Sequence, residues 1–589
     1  MQDLISFYRQ RIQTFSDELS RIKKRLFASS MVRLAVFVLA ALGIYLVFGN
    51  VQWILAISIV AIALFLYLVS RHQNLQHERN RLQSLISINE TEIQVLNRDF
   101  HDLPEGNEFK DSQHYFSQDI DLFGRGSFYQ YVNRTALGQG SETLAGLLKE
   151  NSVKDIPLKQ GAIMELADMP EWRQNFSAIA SLTKTKVSAA KIVEWLDGYT
   201  TFVPKAMRFI PWVFSAIAII LFVLYFTDLL PESVLAGWLF LGLGIKYLFS
   251  KKIAILGEYA TEMQSTFHQY YQLLKQIEDT EFNSELLSSL RQDVTTEKEK
   301  ASLISKKFSK LLYNLEKGNN LIYYFFGDGF FLRTLSHSYQ IETWIKQHGS
   351  SVEKWFDTIA FFDAYNSLGN FAFNHPEYAY PVLTDTETTL KSEAAGHPLL
   401  HPKKSVRNDF QIDREQFFII TGANMAGKST FLRTVSLQIV MANVGLPVCA
   451  SSVHYSPIKL ITSMRTTDSL TDDESYFFSE LKRLKFIVDE IQQDRYFIVL
   501  DEILKGTNST DKAKGSRKFV ERLVTSKSTG IIATHDLSLC EVSKELPQIE
   551  NHYFDAEIID NELHFDYKFK EGICQNMNAS FLLRKMEIV

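Results

Sequence analysis

Apolar positions change their spacing along this chain, and each change predicts a different kind of element. In 1–30, Ile5, Tyr8, Ile12, Phe15, Leu19 and Ile22 recur at steps of three and four among Arg and Glu, the pattern of an amphipathic helix, either a coiled-coil partner or a surface helix. Residues 31–48, apolar apart from Arg33, and 51–69 then follow one another across Gly49-Asn50. At about 1.5 Å rise per residue each approaches the thickness of a bilayer's hydrocarbon core. They predict a transmembrane hairpin, 31–70, and not a cleaved signal peptide, because the first run starts late and a second follows at once. A second apolar pair, 209–226 and 234–249, predicts another hairpin within 207–250. Its last run is short and carries Lys246, expected to reach the interface by its flexible stem. A helical hairpin buried in a soluble core is the competing reading. The segments 71–99 and 253–315 have the polar, Leu-punctuated pattern of long helices. Beyond residue 386 the pattern becomes short apolar runs, 417–420, 496–500 and 530–533, suited to buried parallel strands. The organisation is therefore 1–30 N-terminal helix, 31–70 first hairpin, 71–206 helical core, 207–250 second hairpin, 251–385 returning lever, and 386–589 α/β domain.

The chemistry sits where those strands end. Phe417-Phe418-Ile419-Ile420 runs into Thr421-Gly422-Ala423-Asn424-Met425-Ala426-Gly427-Lys428-Ser429-Thr430, a Gly-x-x-x-x-Gly-Lys-Ser loop followed by an amphipathic helical segment. Gly422 and Gly427 let the backbone turn its N–H groups inward around a triphosphate. Lys428 is placed for the β- and γ-phosphates and Ser429 for Mg2+. The run 496–500 ends in Asp501-Glu502, so Asp501 can hold the metal through water and Glu502 can orient and deprotonate an attacking water. The run 530–533 ends at Thr534-His535-Asp536, with His535 placed to sense the γ-phosphate. An ATP- and Mg2+-dependent hydrolase follows from these three strand ends.

Charge and cysteine usage narrow the setting. A formal net charge of −6 gives no global field that favours nucleic acid. Cys449, Cys540 and Cys574 lie far apart, without metal-ligand spacing or a disulfide framework. Basic residues flank the apolar runs: Arg21, Lys23, Lys24, Arg25 and Arg33 before the first, Arg71, Arg79 and Arg81 after the second, Lys205 and Arg208 before the third, Lys251 and Lys252 after the fourth. The hairpin turns carry none. Four spans in an inner or cytoplasmic membrane, with both termini and the ATPase cytoplasmic, are the expectation.

The loop 422–430, with its Asn-Met-Ala-Gly-Lys-Ser-Thr string, resembles the nucleotide loop of the MutS mismatch-repair family. Asp501-Glu502-Ile503-Leu504-Lys505-Gly506-Thr507-Asn508, and upstream Gly396-His397-Pro398 with Val406-Arg407-Asn408-Asp409, are similar to other segments of its ATPase domain. Asp119 to Thr135, ending in Asn133-Arg134-Thr135, resembles the start of the MutS helical core, and 352–374 with Trp355, Asp363 and Ser367 the helix that returns its lever. The stretch 468–481 resembles the signature segment, in which Ser475 would face the γ-phosphate held by a partner subunit, with Glu474 where the family has Gly. Ala423 replaces the family's Pro. The family's Phe-x-Glu mismatch wedge has no N-terminal counterpart; the triplet Phe478-Ser479-Glu480 lies inside the ATPase domain.

The resemblance implies an α/β ABC-type P-loop ATPase domain at the C-terminus, preceded by an α-helical MutS-like core and lever domain interrupted by transmembrane hairpins. It implies a homodimer through the ATPase domains, closing as a clamp when ATP binds. Two readings of what is clamped stay open. In one the levers bind DNA, mismatched, branched or damaged. In the other the same engine acts on a membrane or envelope protein partner.

Overall fold

The computed structural model of the chain describes residues 2–182, 187–295, 299–320, 323–465, 476–504, 509–559 and 562–575. Its N-terminal part is built from two long helices, Gln2–Leu46 and Val51–Leu96, packed antiparallel. The first runs unbroken through residue 30, so the amphipathic and the apolar stretch form one rod. Asn50 caps the second by accepting from the Trp53 N–H. The polar half of the rod is not merely a surface helix: Tyr8, Ile22 and Leu26 are buried. Each helix is roughly 68 Å long at 1.5 Å per residue, more than twice a hydrocarbon core. Their apolar halves leave Phe37, Leu39, Tyr45, Trp53, Ile59 and Tyr67 exposed.

The second apolar pair differs from expectation. Ile210–Phe226 has 17 residues and Glu232–Tyr247 has 16, and the latter turns by 71° into Ser250–Glu278. By length and composition two helices among the described residues are able to cross a membrane, or three if the bent pair counts as one span, so four spans are not supported. Lys246 does not snorkel. It is buried and pairs with the buried Asp328 at 2.5 Å, under the ring of Tyr324. Beside it Gly242 lies so close to Gly329 that a Cβ would come 2.2 Å from the Gly329 carbonyl oxygen. The pair is thus fixed to segment 323–331 through one face, while Trp212, Ile220, Phe226 and Phe240 are exposed; it falls short of two spans by helix length.

The helical core is organised on Val352–Asn374, buried along nearly its whole length. Burial of its polar side chains is compensated by specific partners. Asp363 accepts from the Ala136 and Leu137 N–H groups, and Ser367 Oγ from the Arg134 N–H. Gly140 is required opposite, since a Cβ there would come 2.1 Å from Asp363 Oδ2. Asn374 accepts from the Tyr8 hydroxyl and donates to Glu92, whose other oxygen takes Arg134 Nε at 2.6 Å.

The strands follow as β1 Val382–Leu383, β2 Thr388–Ala395, β3 Asn408–Asp413, β4 Phe417–Gly422, β5 Ser452–Tyr455, β6 Lys459–Ser463, β7 Tyr496–Asp501, β8 Thr529–Ala533, β9 Ile549–Phe554, β10 Glu557–Ile559, β11 Glu562–His564 and β12 Phe569–Glu571. One sheet has the order β1-β5-β2-β3; the larger has β12-β9-β4-β8-β7-β6, parallel from β9 to β6 where the pairings are given. Its edge strand β6 is covered by the core: Thr462 N–H donates to the Tyr115 carbonyl, and Asn151 exchanges both hydrogen bonds with Leu460.

Burial pushes the Asp363 carboxyl up to about 7, against the two N–H groups that hold it down. With the unfolded value near 3.8, its stabilising protonated form is fully present below that pH and is lost as pH rises through about 7. The stability advantage of wild type over Asp363→Asn is therefore expected to shrink steadily over that window. Parallel pH-stability curves for the two proteins would refute this.

Candidate nucleotide site

Three neighbouring strands carry the site. β4 pairs with β8 and β8 with β7, so their C-terminal ends lie side by side, with β8 between the Gly-rich loop and the paired carboxylates. Gly422 closes β4 at φ +146°, and a Cβ there would come 2.5 Å from the Phe554 carbonyl oxygen on β9. Gly427, at φ +111°, is the N-cap of helix Lys428–Val444 and offers that helix no side-chain cap. The first-turn N–H groups therefore converge where the helix's positive end favours an anion. Within the loop Met425 also takes a left-handed conformation, φ +68°, and is exposed together with Asn424, while Ala426 is buried.

Lys428 is buried, and its Nζ donates to the carbonyl oxygens of Gly422 at 2.7 Å and Ala423 at 3.0 Å, with His535 Nε2 at 3.4 Å. Burial pushes its pKa down, opposed by the charges of Asp501 and Glu502. The exposed Ser429 donates from Oγ to Asp501 Oδ2 at 2.9 Å, and Thr430 follows it on the exposed side. Glu502 stands at φ +54°, its N–H bonded to the Ala533 carbonyl, and its Oε1 is 3.2 Å from His535 Nε2. Lys428, Ser429, Asp501, Glu502 and His535 thus form one cluster. A triphosphate with Mg2+ fits this donor set: a glycine cradle that no side chain could share, one buried ammonium, and a hydroxyl and a carboxylate oxygen side by side as hard ligands.

Other expectations fall elsewhere. Ser475 and Lys505 to Asn508, assigned to the seam between subunits, lie outside the described residues. Glu480 of the internal Phe-x-Glu triplet is buried and accepts from the Leu504 N–H at 2.6 Å, so it braces the turn after β7. Two features were missed. A ring carbon of Tyr567 lies 3.2 Å from where a Gly427 Cβ would be, bringing an aromatic side chain to the loop. Its signal, an aromatic before the last strand, is not separable from ordinary strand composition. Asp119 and Asp121 of the core reach the ATPase domain: Asp121 takes both Nη atoms of Arg465 at 2.6 and 2.8 Å and lies 3.3 Å from Arg433 Nη1. Arg433 is one helical turn beyond Ser429.

Comparison with known proteins bears on this site directly. Residues 418–584 match MutS domain V. Those residues belong to the MutS family's ATPase domain. The chain is 29% identical over 245 residues to human MutS protein homolog 4, covering 40% of this chain and 26% of that protein. It is 28% identical over 233 residues to the DNA mismatch repair protein MutS of Thermotoga petrophila, covering 39% and 29% respectively. It is 30% identical over 243 residues to that of Desulfatibacillum aliphaticivorans, covering 40% and 27%. The chain thus spans between a quarter and a third of the length of the curated relatives it matches.

The Gly422 geometry makes a prediction of its own. Gly422→Ala forces a Cβ against the β9 backbone and is expected to cost about 1–3 kcal/mol, as overpacking does. Thermal or denaturant unfolding within experimental error of wild type would show that β9 yields without cost.

Proposed function

We propose that this chain is a MutS-type ATPase whose hydrolysis drives the movement of a helical lever. The observation that carries the reading is the single cluster of Lys428, Ser429, Asp501, Glu502 and His535 within a MutS domain V. Bound Mg2+ supplies charge neutralisation at the phosphates, with Ser429 and Asp501 as its protein ligands. Lys428 exchanges the carbonyl oxygens of Gly422 and Ala423 for phosphate oxygens. Glu502 orients water and takes its proton, and His535, in contact with both Glu502 and Lys428, keeps these two side chains in register. Gly422 to Thr430 wrap the phosphates and Tyr567 offers its face to the base. Two ATPase domains close on one another, with Ser475 of each completing the other's site.

DNA is the proposed ligand of the levers, because the relatives over the ATPase domain are mismatch-repair proteins by name. A membrane or envelope protein partner is the second reading, favoured by the exposed apolar halves of Gln2–Leu46 and Val51–Leu96. In both readings those halves anchor the protein in the cytoplasmic membrane with the ATPase on the cytoplasmic side. Alkaline carbonate extraction of membranes should leave the protein in the pellet; release into the supernatant would refute the anchor.

Removing the base by Glu502→Gln is expected to lower turnover by about 10²–10⁴-fold with ATP still bound. Lys428→Ala should weaken nucleotide binding by about 10- to 100-fold, the worth of a charged hydrogen bond. Wild-type turnover in Glu502→Gln would remove that residue from the chemistry. ATPase rates with duplex, mismatched and branched DNA over a salt series decide between the partners. Stimulation that weakens steeply with salt supports DNA, whereas no response with basal turnover intact supports a protein partner.

A further inference from the structure

Helix Tyr476–Glu490 packs beside the turn that follows β7: its Leu484 and Ile487 share one apolar cluster with Leu500, Ile503 and Leu504. Arg483 fastens the same helix elsewhere, donating to the carbonyl oxygens of Thr462 on β6 and of His114 and Tyr115 in the core. One turn before Leu484 stands Glu480, only 4% exposed. A carboxylate withdrawn from water is costly unless it holds donors. Glu480 accepts from the Leu504 N–H at 2.6 Å.

The turn it holds is the one that carries Glu502. Glu502 and Leu504 stand at φ +54° and +59°, angles that residues with a Cβ seldom keep unless their surroundings hold them there. Each end is tied by a hydrogen bond: the Glu502 N–H to the Ala533 carbonyl on β8, and the Leu504 N–H to Glu480. From that turn the Glu502 side chain brings Oε1 within 3.2 Å of His535 Nε2. Glu480, Asp501 and Glu502 line one small cavity together with Arg465. The contact to Ser429 is made by Asp501, which precedes the turn on β7. Release of the Leu504 end therefore frees Glu502 and leaves Lys428, Ser429 and Asp501 in place.

We propose that Glu480 is a positioning residue for hydrolysis: its hydrogen bond to Leu504 sets the left-handed turn that aims Glu502 at the attacking water. It acts through Glu502 and not on the nucleotide. A displacement of about 1 Å at a reacting group is enough to cost about 10²-fold in rate. The helix that carries Glu480 is bound through Arg483 to core residues 114 and 115, so the aim of Glu502 is set from the core as well as from the sheet. This role rests on the ATPase reading above and adds to it a residue outside the nucleotide cluster.

The test measures steady-state ATP turnover of the full chain in detergent, and binding of a fluorescent ATP analogue, for four proteins and one combination. Glu480→Met keeps the bulk and removes the acceptor; it is expected to lower kcat by about 10- to 100-fold and to leave KM and analogue binding as in the parent. Glu480→Gln keeps an oxygen for the Leu504 N–H and should retain most of the turnover. Glu502→Gln with Glu480→Met is expected to turn over no more slowly than Glu502→Gln alone, because the carboxylate being aimed is already gone. Where Glu480→Met does not fold, Glu480→Asp, which keeps the charge and withdraws it by one methylene, replaces it in every comparison. Parental turnover in Glu502→Gln removes the ATPase reading and this role with it. With Glu502→Gln slowed, this role alone is overturned by parental kcat in Glu480→Met, by a loss that lies in nucleotide binding, by Glu480→Gln as slow as Glu480→Met, or by a further full loss in the combination.

Discussion

Helix Val352–Asn374 can be buried on nearly every side only because its polar side chains find partners from distant parts of the chain. Asp363 and Ser367 hold the loop 134–137, and Asn374 holds Tyr8 and Glu92. Those contacts join the N-terminal rods and the core loop to this helix. Breaking one leaves a buried acceptor unpaired, which costs about 1–3 kcal/mol. That is a large share of a typical domain's net stability. The helix is therefore the axis against which any nucleotide-driven movement has to be measured.

Contacts between the ATPase domain and the core fall into two grades. Asp119 takes the Thr462 hydroxyl at 2.6 Å and the Arg465 N–H at 2.8 Å, and Asn151 pairs with Leu460 like an extra strand residue. Buried backbone-like bonds of this kind make the segment 114–121 part of the sheet's edge. Asp121 is about half exposed, and so is the Arg465 side chain it binds. Exposed pairs are worth roughly 0–1 kcal/mol each. The Arg433 to Asp121 contact can therefore be made and broken cheaply, and Arg433 sits one turn from Ser429 on the nucleotide helix. Arg433 also donates from Nε to the Asp119 carbonyl at 3.2 Å, so the helix that begins at Lys428 touches the core through both acids.

The nucleotide cluster was legible in the sequence because each part is local. A strand of four apolar residues, the loop glycines, and acids or a histidine at the ends of two further apolar runs need only chain order and parallel pairing to converge. The roles of Asp121 and Arg173 were not legible. Their partners are distant: Arg465 lies 344 residues from Asp121 and Asn370 lies 197 from Arg173, and nothing in the local pattern separates them from solvated surface charges. Tyr567 was missed for the same reason. Resemblance singled out Asn133-Arg134-Thr135 and Asp363, but what they do appears only when the loop is seen seated on the helix.

The second apolar pair falls short of two spans by helix length and by the bend that follows it, although Trp212, Ile220, Phe226 and Phe240 are exposed. An apolar run reports that a segment avoids water, not whether lipid or protein replaces the water. In Glu232–Tyr247 the one strongly polar residue of the last turn, Lys246, should have been expensive in lipid, and the structure resolves that cost inside the protein with Asp328. Removing one partner of such a buried pair costs about 3–5 kcal/mol. The close approach of Gly242 to Gly329 adds a steric constraint that no larger residue satisfies. These contacts are stronger than the exposed pair at Asp121, so the short apolar pair follows segment 323–331 as a unit.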